Sequence, residues 1–402
     1  MDLTRSSSND VRLSPTPVFE QADRAPPTQR MERALAAEQV PTPFIIMDLD
    51  IVRERYRSLG TLFPRATIFY AVKANPGPSV IAALAELGAK FDLASEGEIE
   101  RCQKLEISAD RLSFGNTIKR EVEIARAHQL GIDLFAFDST AELEKIARAA
   151  PGACVFCRML VENRGAEWPL TRKFGCTPPM AIDLLVRARQ LGLRPIGVSF
   201  HVGSQQTDPQ QWCTAIAAAA RIFRTCSKNN LNLGLLNLGG GFPAHYRASV
   251  PPLATYAETI EEALTKYFAS ARPEIVIEPG RYLVGDAGLL RAQVLLIARK
   301  SRRASKRWVY LDAGRYNGLP ETFGERIHYR IRTPLDGMPT GPVTLAGPTC
   351  DSTDVLYERA AYDLPLDLSI GDYVDFLSAG AYTASYASVE FNGFSPIQTR
   401  CI

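Results

Sequence analysis

The sequence predicts an α/β protein, a TIM-type (β/α)8 barrel followed by a C-terminal antiparallel β domain, on three observations. Eight short apolar runs recur between residues 67 and 278, segments with helically spaced apolar residues separate them, and beyond Tyr282 the helical spacing disappears. Alternation of this kind describes a parallel sheet with crossover helices, and eight parallel strands can close on themselves. An open doubly wound sheet is the competing architecture.

Taken in order, the barrel strands are expected at residues 67–72, 90–93, 112–114, 134–137, 154–159, 196–201, 233–238 and 274–278. Val80, Ala83, Leu84 and Leu87 mark one intervening helix, and Ala181, Leu184, Leu185 and Ala188 another. Beyond the barrel, β-rich runs at 290–297, 308–311, 343–346 and 373–377 have Gly and Pro between them, which reads as an antiparallel domain over 283–402. The barrel spans 39–282, although the apolar run at 42–47 can pair with the β domain instead. Residues 1–38 are rich in Ser, Pro, Arg and Gln, and Pro15, Pro17, Pro26 and Pro27 break any helical pattern before residues 31–39, so a flexible arm is expected.

Composition narrows the function. Forty-six Lys and Arg against 44 Asp and Glu leave a net charge of +2, which supplies no field for nucleic acid or anionic lipid and favours a small-molecule partner. No apolar stretch is long enough to span a bilayer; the best, 288–298, carries Arg291. The first ten residues lack the apolar run of a secretory signal, and eight cysteines are too sparse in 402 residues for a disulfide scaffold. A reduced, cytoplasmic compartment is expected.

The chemistry gathers at strand ends. Lys73 closes the first strand in an apolar setting, where desolvation lowers an amine's pKa and suits it to a Schiff base with an aldehyde cofactor or carbonyl substrate. The plain alternative is a surface lysine. Gly239-Gly240-Gly241-Phe242-Pro243 follows the seventh strand, where backbone N–H groups can converge on a phosphate or simply make a tight turn. Glu278-Pro-Gly280-Arg281 closes the eighth: a carboxylate placed to hold a pyridine nitrogen protonated and an Arg placed for phosphate, or an internal ion pair.

His201, ending the sixth strand, can stack on a ring, act as a base or cap the core; Ser204 can donate to phosphate. No second ligand stands at metal spacing, so a zinc site is excluded, and the Cys154-x-x-Cys157 pair reads as packing. Cys350-Asp351 lies in a turn-rich segment of the β domain, either a mere loop or a thiol proton donor beside a carboxylate for a cationic amine.

Together these segments resemble the ornithine/lysine decarboxylase family of fold-type III PLP-dependent decarboxylases, from about residue 41 to 394. The matches are Tyr70-Ala-Val-Lys73-Ala-Asn, Phe91-Asp92-Leu-Ala-Ser, Ser113-Phe-Gly-Asn-Thr, Arg172-Lys-Phe-Gly175, Ser199-Phe-His201-Val-Gly-Ser204, the triple glycine, Glu278-Pro-Gly-Arg281, Gly347-Pro-Thr-Cys350-Asp351, Gly380-Ala-Tyr382-Thr and Phe391-Asn-Gly. The resemblance implies that Lys73 forms the imine with pyridoxal 5'-phosphate, Glu278 partners the pyridine nitrogen and His201 stacks on the ring. It implies phosphate contacts from Ser204, Gly240, Gly241, Gly280, Arg281 and Tyr382, with Asp92 and Arg158 supporting cofactor and lysine.

It further implies a head-to-tail homodimer in which Cys350 and Asp351 of one subunit complete the site of the other. Tyr316 corresponds to an aromatic residue near that shared site, and Lys173 and Asp354 to a salt bridge across the interface. The implied reaction converts L-ornithine, or L-lysine, to putrescine or cadaverine and carbon dioxide. In it Cys350 returns a proton to Cα and Asp351 pairs with the distal ammonium.

The segment after Tyr316 departs from the family pattern, and either Glu321 or Glu325 can supply a further acidic substrate ligand. Diaminopimelate decarboxylase shares the fold but favours Cys-Glu-Ser over Cys350-Asp351-Ser, and Leu-Gly over Phe242-Pro243. Arginine, carboxynorspermidine and D-amino acid decarboxylases remain alternatives, as do non-catalytic regulatory relatives; Lys73, Glu278, Arg281, Cys350 and Asp351 speak for catalysis.

Overall fold

The computed structural model describes residues 27–169, 173–269, 271–394 and 396–402. Eight parallel strands close into a barrel: β1 (Ala66–Ala71), β2 (Lys90–Leu93), β3 (Leu112–Phe114), β4 (Leu134–Phe137), β5 (Cys154–Arg158), β6 (Arg194–Ser199), β7 (Leu235–Asn237) and β8 (Glu274–Ile277). β8 pairs with β1 to complete the ring, so the open sheet is excluded. The two helices expected from apolar spacing form at Pro78–Glu86 and Pro178–Gln190, each with proline in the first turn, where its missing N–H costs nothing.

Side-chain alternation along the strands builds the site. Phe69, Ala136, Phe156, Leu235 and Val276 form a buried cluster of their own, apart from the core between strands and helices. Two residues further along each strand, on the same inward face, stand Ala71, Asp138, Arg158, Asn237 and Glu278. The apolar layer is therefore a floor, and polar side chains sit above it at the C-terminal ends of the strands, where such barrels do their chemistry.

Beyond the barrel the chain builds an eight-stranded sheet. It contains β9 (Gly288–Ala298), β10 (Arg307–Leu311), β11 (Arg330–Arg332), β12 (Thr340–Ala346), β13 (Val355–Pro365), β14 (Tyr373–Leu377) and β15 (Gln398–Cys401), in the order β11-β14-β9-β10-β12-β13. The remaining strand, Phe44–Met47, pairs antiparallel with β9 and parallel with β15, so the early apolar run joins this domain.

The β domain is antiparallel in the main, as expected, with a parallel pairing added between β10 and β12. The connection between them, residues 312–339, is long enough to return the chain to the same end of the sheet, and pattern alone does not reveal that.

Part of the expected flexible arm is a helix. Gln29–Ala37 is capped by Thr28, whose Oγ1 accepts from the Met31 N–H at 3.2 Å. Met31 and Leu35, one turn apart, bury against Phe44, Ile46, Leu289 and Leu377, and Glu32 pairs with Arg332. The rest of the arm, residues 1–26, lies outside the described residues. Among the described residues no helix is long and apolar enough to cross a membrane.

Candidate active site

A pocket with about 310 Å³ of open space lies at the C-terminal end of the barrel, lined by Ala71, Lys73, His201, Ser204, Gly240, Gly241, Glu278, Gly280, Arg281 and Tyr382. All but Ala71 were singled out from the sequence. A larger apolar cleft, about 960 Å³, opens beside Ala66 and Ile275 at the opposite end; its charged pair, Arg272 and Glu261, is joined at 2.5 Å. The convergent polar groups, not the volume, identify the site.

Lys73 sits on a short 3-10 turn, Val72–Ala74, that takes over as β1 leaves the barrel. The loop bearing Tyr382 clamps that turn: the Tyr382 N–H donates to Ala74 O at 2.9 Å, and Asn75 Nδ2 donates to Gly380 O at 2.9 Å. The Lys73 side chain is 46% accessible and its Nζ lies 3.8 Å from Asp92 Oδ2. Burial opposes its charge, but Asp92, Tyr382 and Glu278 outweigh burial and Arg158, so its pKa is raised. That reverses the expectation of a lowered value: the pocket is polar and acidic, and the amine is a protonated ammonium until a neighbour takes its proton.

Asp92 is held well above the usual carboxylate range by burial and by Glu278, which together overcome Lys73. Its Oδ1 is buried with no hydrogen-bond partner among the described residues. Room for that carboxyl comes from Gly115, where a Cβ would stand 1.8 Å from Asp92 Oδ1. Gly115 was visible only as part of a motif.

Glu278 stands on the inward face after β8, where Asn237 Nδ2 donates to its Oε1. Asn237 is buried at the end of β7 and its Oδ1 also accepts from the Gly239 N–H at 2.8 Å, so one side chain sets both the carboxylate and the start of the glycine loop. Sequence reading missed Asn237 because its partner is 41 residues away. Arg158 faces Glu278, Asp138 and Asp92, with its guanidinium 5.0 Å from the Phe174 ring; burial lowers its pKa.

The glycine loop needs its glycines. Gly239 and Gly241 have φ of +65° and +111°, and a Cβ on Gly240 would meet Glu278 O at 2.5 Å. Phe242 anchors the loop, stacked on Trp212 at 5.1 Å. His201 Nδ1 accepts from the Gly203 N–H at 3.0 Å, which assigns the remaining ring proton to Nε2. Burial, then Arg158 and Lys73, hold its pKa well below the usual value, so a neutral ring faces the pocket.

At the phosphate end the structure differs from expectation. Arg281 is buried, and its Nη1 and Nη2 form a double hydrogen bond with Glu321 at 2.6 Å each. Nη1 also donates to Tyr246 Oη at 2.7 Å, while Nε and Nη2 donate to Ser204 Oγ at 3.2 and 3.1 Å. All five guanidinium N–H groups are therefore taken within the chain. Glu321 thus lies on Arg281, and Glu325 accepts from the backbone N–H groups of Glu358, Arg359 and Ala360. Both acidic candidates are engaged within the chain, Glu321 by the buried guanidinium of Arg281 and Glu325 by backbone N–H groups at exposed positions.

Cys350 and Asp351 are not in this pocket. They lie on the β domain, Cys350 exposed with its Sγ 3.4 Å from Asn392 Oδ1, and Asp351 Oδ1 accepting from Thr353 N and Oγ1 at 2.7 Å each. Tyr316 Oη meets the same Thr353 hydroxyl at 2.7 Å, and its ring packs on Phe391 at 4.7 Å. Hydrogen bonds from Thr353 lower the Asp351 pKa.

Asp354, which the resemblance pairs with Lys173 of a second subunit, is buried in its own chain (2% exposed) and accepts from Arg315 N, Thr349 N and Thr349 Oγ1, tying together the turns at Gly314 and Gly347. Lys173 Nζ lies 4.9 Å from the Phe174 ring, and Arg172 lies outside the described residues.

A barrel mouth holding a strand-end amine, a carboxylate on the inward face, a neutral imidazole and a glycine cradle defines a pyridoxal-dependent enzyme class. Residues 49–285 match the family model of the pyridoxal-dependent decarboxylase pyridoxal binding domain, and the chain belongs to that family. It is 36% identical over 359 residues to the lysine/ornithine decarboxylase of Selenomonas ruminantium, covering 89% of each chain. It is also 36% identical to antizyme inhibitor 2 of Xenopus laevis, over 88% of this chain and 80% of that one. The solved lysine/ornithine decarboxylase of Vibrio vulnificus, complexed with putrescine, superposes with a TM-score of 0.83 at 32% identity, covering 93% of this chain and 97% of that one.

The residues fit pyridoxal 5'-phosphate, the family's cofactor. The cradle at Gly240 and Gly241, the Asp92 Oδ1 left without a hydrogen-bond partner among the described residues, and side chains that offer an amine (Lys73), a carboxylate (Glu278) and two hydroxyls (Ser204 and Tyr382) match an aldehyde, a ring nitrogen and a phosphate.

Proposed function

We propose that this chain decarboxylates a basic diamino acid, L-ornithine first and L-lysine with it, to the diamine and carbon dioxide. It works as a head-to-tail homodimer. The observation that supports catalysis is the convergence of Lys73, His201, Glu278 and the glycine cradle in one pocket, with Asp92 touching Lys73. When bound, pyridoxal 5'-phosphate supplies an electron sink for the pair left at Cα as the carboxylate departs.

The chain's own residues do the rest. Lys73 would hold the cofactor at its aldehyde carbon and give it up to the substrate's α-amine, and Asp92, 3.8 Å away, is placed to exchange the proton this requires. Glu278, fixed by Asn237, presents the negative charge that keeps the ring nitrogen protonated. His201 offers a neutral face for the ring to stack on. Cys350 and Asp351 enter from the second subunit, the thiol returning a proton to Cα and the carboxylate pairing with the distal ammonium. Their exposure, and their absence from the pocket of their own chain, support that arrangement. Ornithine and lysine differ by one methylene, worth roughly 1–3 kcal/mol in a pocket, so activity on both is expected.

The test is a product assay with purified, cofactor-loaded protein. It is offered L-ornithine, L-lysine, L-arginine, their D-enantiomers and meso-diaminopimelate in turn. Carbon dioxide and putrescine from L-ornithine, with cadaverine from L-lysine at lower efficiency, are expected. A loaded dimer inert to every substrate would overturn the proposal in favour of a regulatory relative.

A further inference from the structure

Asn392 stands in the Phe391–Gly393 turn, 42 residues along the chain from Cys350, yet its Oδ1 meets Cys350 twice, at 3.3 Å from the backbone nitrogen and 3.4 Å from Sγ. The first contact decides the chemistry of the second. A backbone N–H can only donate, so the amide atom that faces it is the oxygen, and the flipped amide is ruled out. An amide oxygen can only accept, so the bond to Sγ requires sulfur as the donor, with its hydrogen turned toward Asn392. One oxygen therefore fixes the loop between β12 and β13 that carries the thiol and keeps a hydrogen on the sulfur.

The side chain is not needed to shape its own turn. Ser388 N–H donates to Tyr316 O at 2.8 Å, and the Phe391 ring packs on Tyr316 at 4.7 Å. Asn392 has φ +55° and ψ +21°, a left-handed conformation that glycine adopts as well as asparagine. Among the described residues both hydrogen bonds of the carboxamide go to Cys350.

We propose that Asn392 is a positioning residue for the proton donor: its carboxamide oxygen holds the Cys350 loop and keeps the thiol hydrogen on sulfur until Cα takes it. This rests on the reading of Cys350 as the donor to Cα and deepens it. In the transfer the S–H bond breaks and a C–H bond forms with the electron pair that carbon dioxide leaves behind. The hydrogen gives up only a weak S–H···O contact in turning from Asn392 to Cα, so holding it costs the transfer little.

The experiment uses full-length, cofactor-loaded protein and compares Asn392→Gly, which fits the backbone and removes the amide, with Asn392→Asp, which keeps an oxygen and adds a negative charge; Cys350→Ala is the reference. Asn392→Gly should lower kcat on L-ornithine by about three- to tenfold, the scale of one or two hydrogen bonds, with KM within about twofold. Carbon dioxide should then exceed putrescine, because a proton that misses Cα reaches the cofactor's aldehyde carbon instead. Water would next release the substrate skeleton as an aldehyde, leaving its amino group on the cofactor. Asn392→Asp should return putrescine to parity with carbon dioxide.

A second readout needs no turnover. Alkylation of Cys350 by iodoacetamide, followed by the mass of its peptide, requires the thiolate. It should run about threefold faster in Asn392→Gly, where nothing favours the S–H form, and slower than wild type in Asn392→Asp, where a carboxylate repels the thiolate. A loop that is merely loosened would speed both. Faster alkylation in both variants, or wild-type kcat and product parity in Asn392→Gly, overturns the proposal. Should Asn392→Gly fail to fold, the direction of the change in Asn392→Asp still decides. Wild-type turnover and product in Cys350→Ala sinks the donor reading and Asn392 with it, whereas an impaired Cys350→Ala beside an unimpaired Asn392→Gly sinks Asn392 alone.

Discussion

At the barrel mouth each reactive side chain is held by a neighbour: Lys73 by Asp92, Glu278 by Asn237, His201 by Gly203 and Ser204 by Arg281. On the β domain, Cys350 is exposed on a loop with Asn392 against its thiol, and Asp351 is bound to the Thr353 next to it. The first region is preorganised for a ligand within one chain. The second has a thiol, a carboxylate and an aromatic ring that stand outside the barrel-mouth pocket of their own chain. The difference is what the proposed function requires, in which one chain carries a cofactor half-site and a second copy brings the proton-donating, ammonium-reading half to it.

Substitutions should separate the halves. Lys73→Ala should abolish both activity and the visible absorbance of lysine-bound cofactor; a retained band would show that another amine holds it. Cys350→Ala should lower turnover by about 10²- to 10⁴-fold, the span of a single proton-transfer group, while cofactor affinity stays at the wild-type value. Unchanged turnover and an unchanged product would remove the thiol from the chemistry. Asp351→Asn should raise the KM for ornithine by about tenfold or more, because a desolvated ammonium loses its charged partner, with a smaller effect on kcat. An equal effect on a substrate with a neutral side chain would contradict the role in selection.

The smallest expected effect is on stability. Glu167 lies on a strand paired with the one bearing Ser204, and burial raises its pKa to about 7, with Arg281 countering and Glu321 adding. Its folded pKa lies above its unfolded value, so the folded state binds the extra proton, and stability falls as pH rises from the unfolded pKa through about 7. Glu167→Gln should therefore match wild type in thermal unfolding at pH 5 and exceed it at pH 8. A difference of the opposite sign, or one independent of pH, would contradict the assignment.

Much of the barrel was legible because burial on both faces leaves nearly continuous apolar runs in the strands; those expected at 90–93, 112–114 and 134–137 coincide with β2, β3 and β4. Ends were less legible where the chain leaves the sheet. β1 gives way to a 3-10 turn at Val72, and β7 stops at Asn237 ahead of the positive φ of Gly239.

Helix Gln29–Ala37 was hidden by its Pro-rich surroundings, although Thr28 as a cap and Met31 with Leu35 at one-turn spacing were in view. In the site, residues carrying their own chemistry at strand ends were found from sequence. Asn237, Tyr246 and the grip of Glu321 on Arg281 were not, because each depends on a partner at least 35 residues away, and no local pattern records such a meeting. The raised pKa of Lys73 was missed for the same reason: burial can be read from apolar neighbours, but the carboxylates that oppose it arrive from other strands.

The most direct test of the two-half reading mixes two inactive variants. Lys73→Ala lacks the cofactor half and Cys350→Ala the proton-donating half, so a heterodimer has one site missing both and one site intact. Unfolding and refolding the two together in equal amounts should restore about a quarter of wild-type activity, the share of intact sites under random pairing. No recovery, despite demonstrated heterodimers, would contradict the claim that each site is shared between subunits, as would full activity in a monomeric fraction of the wild-type protein.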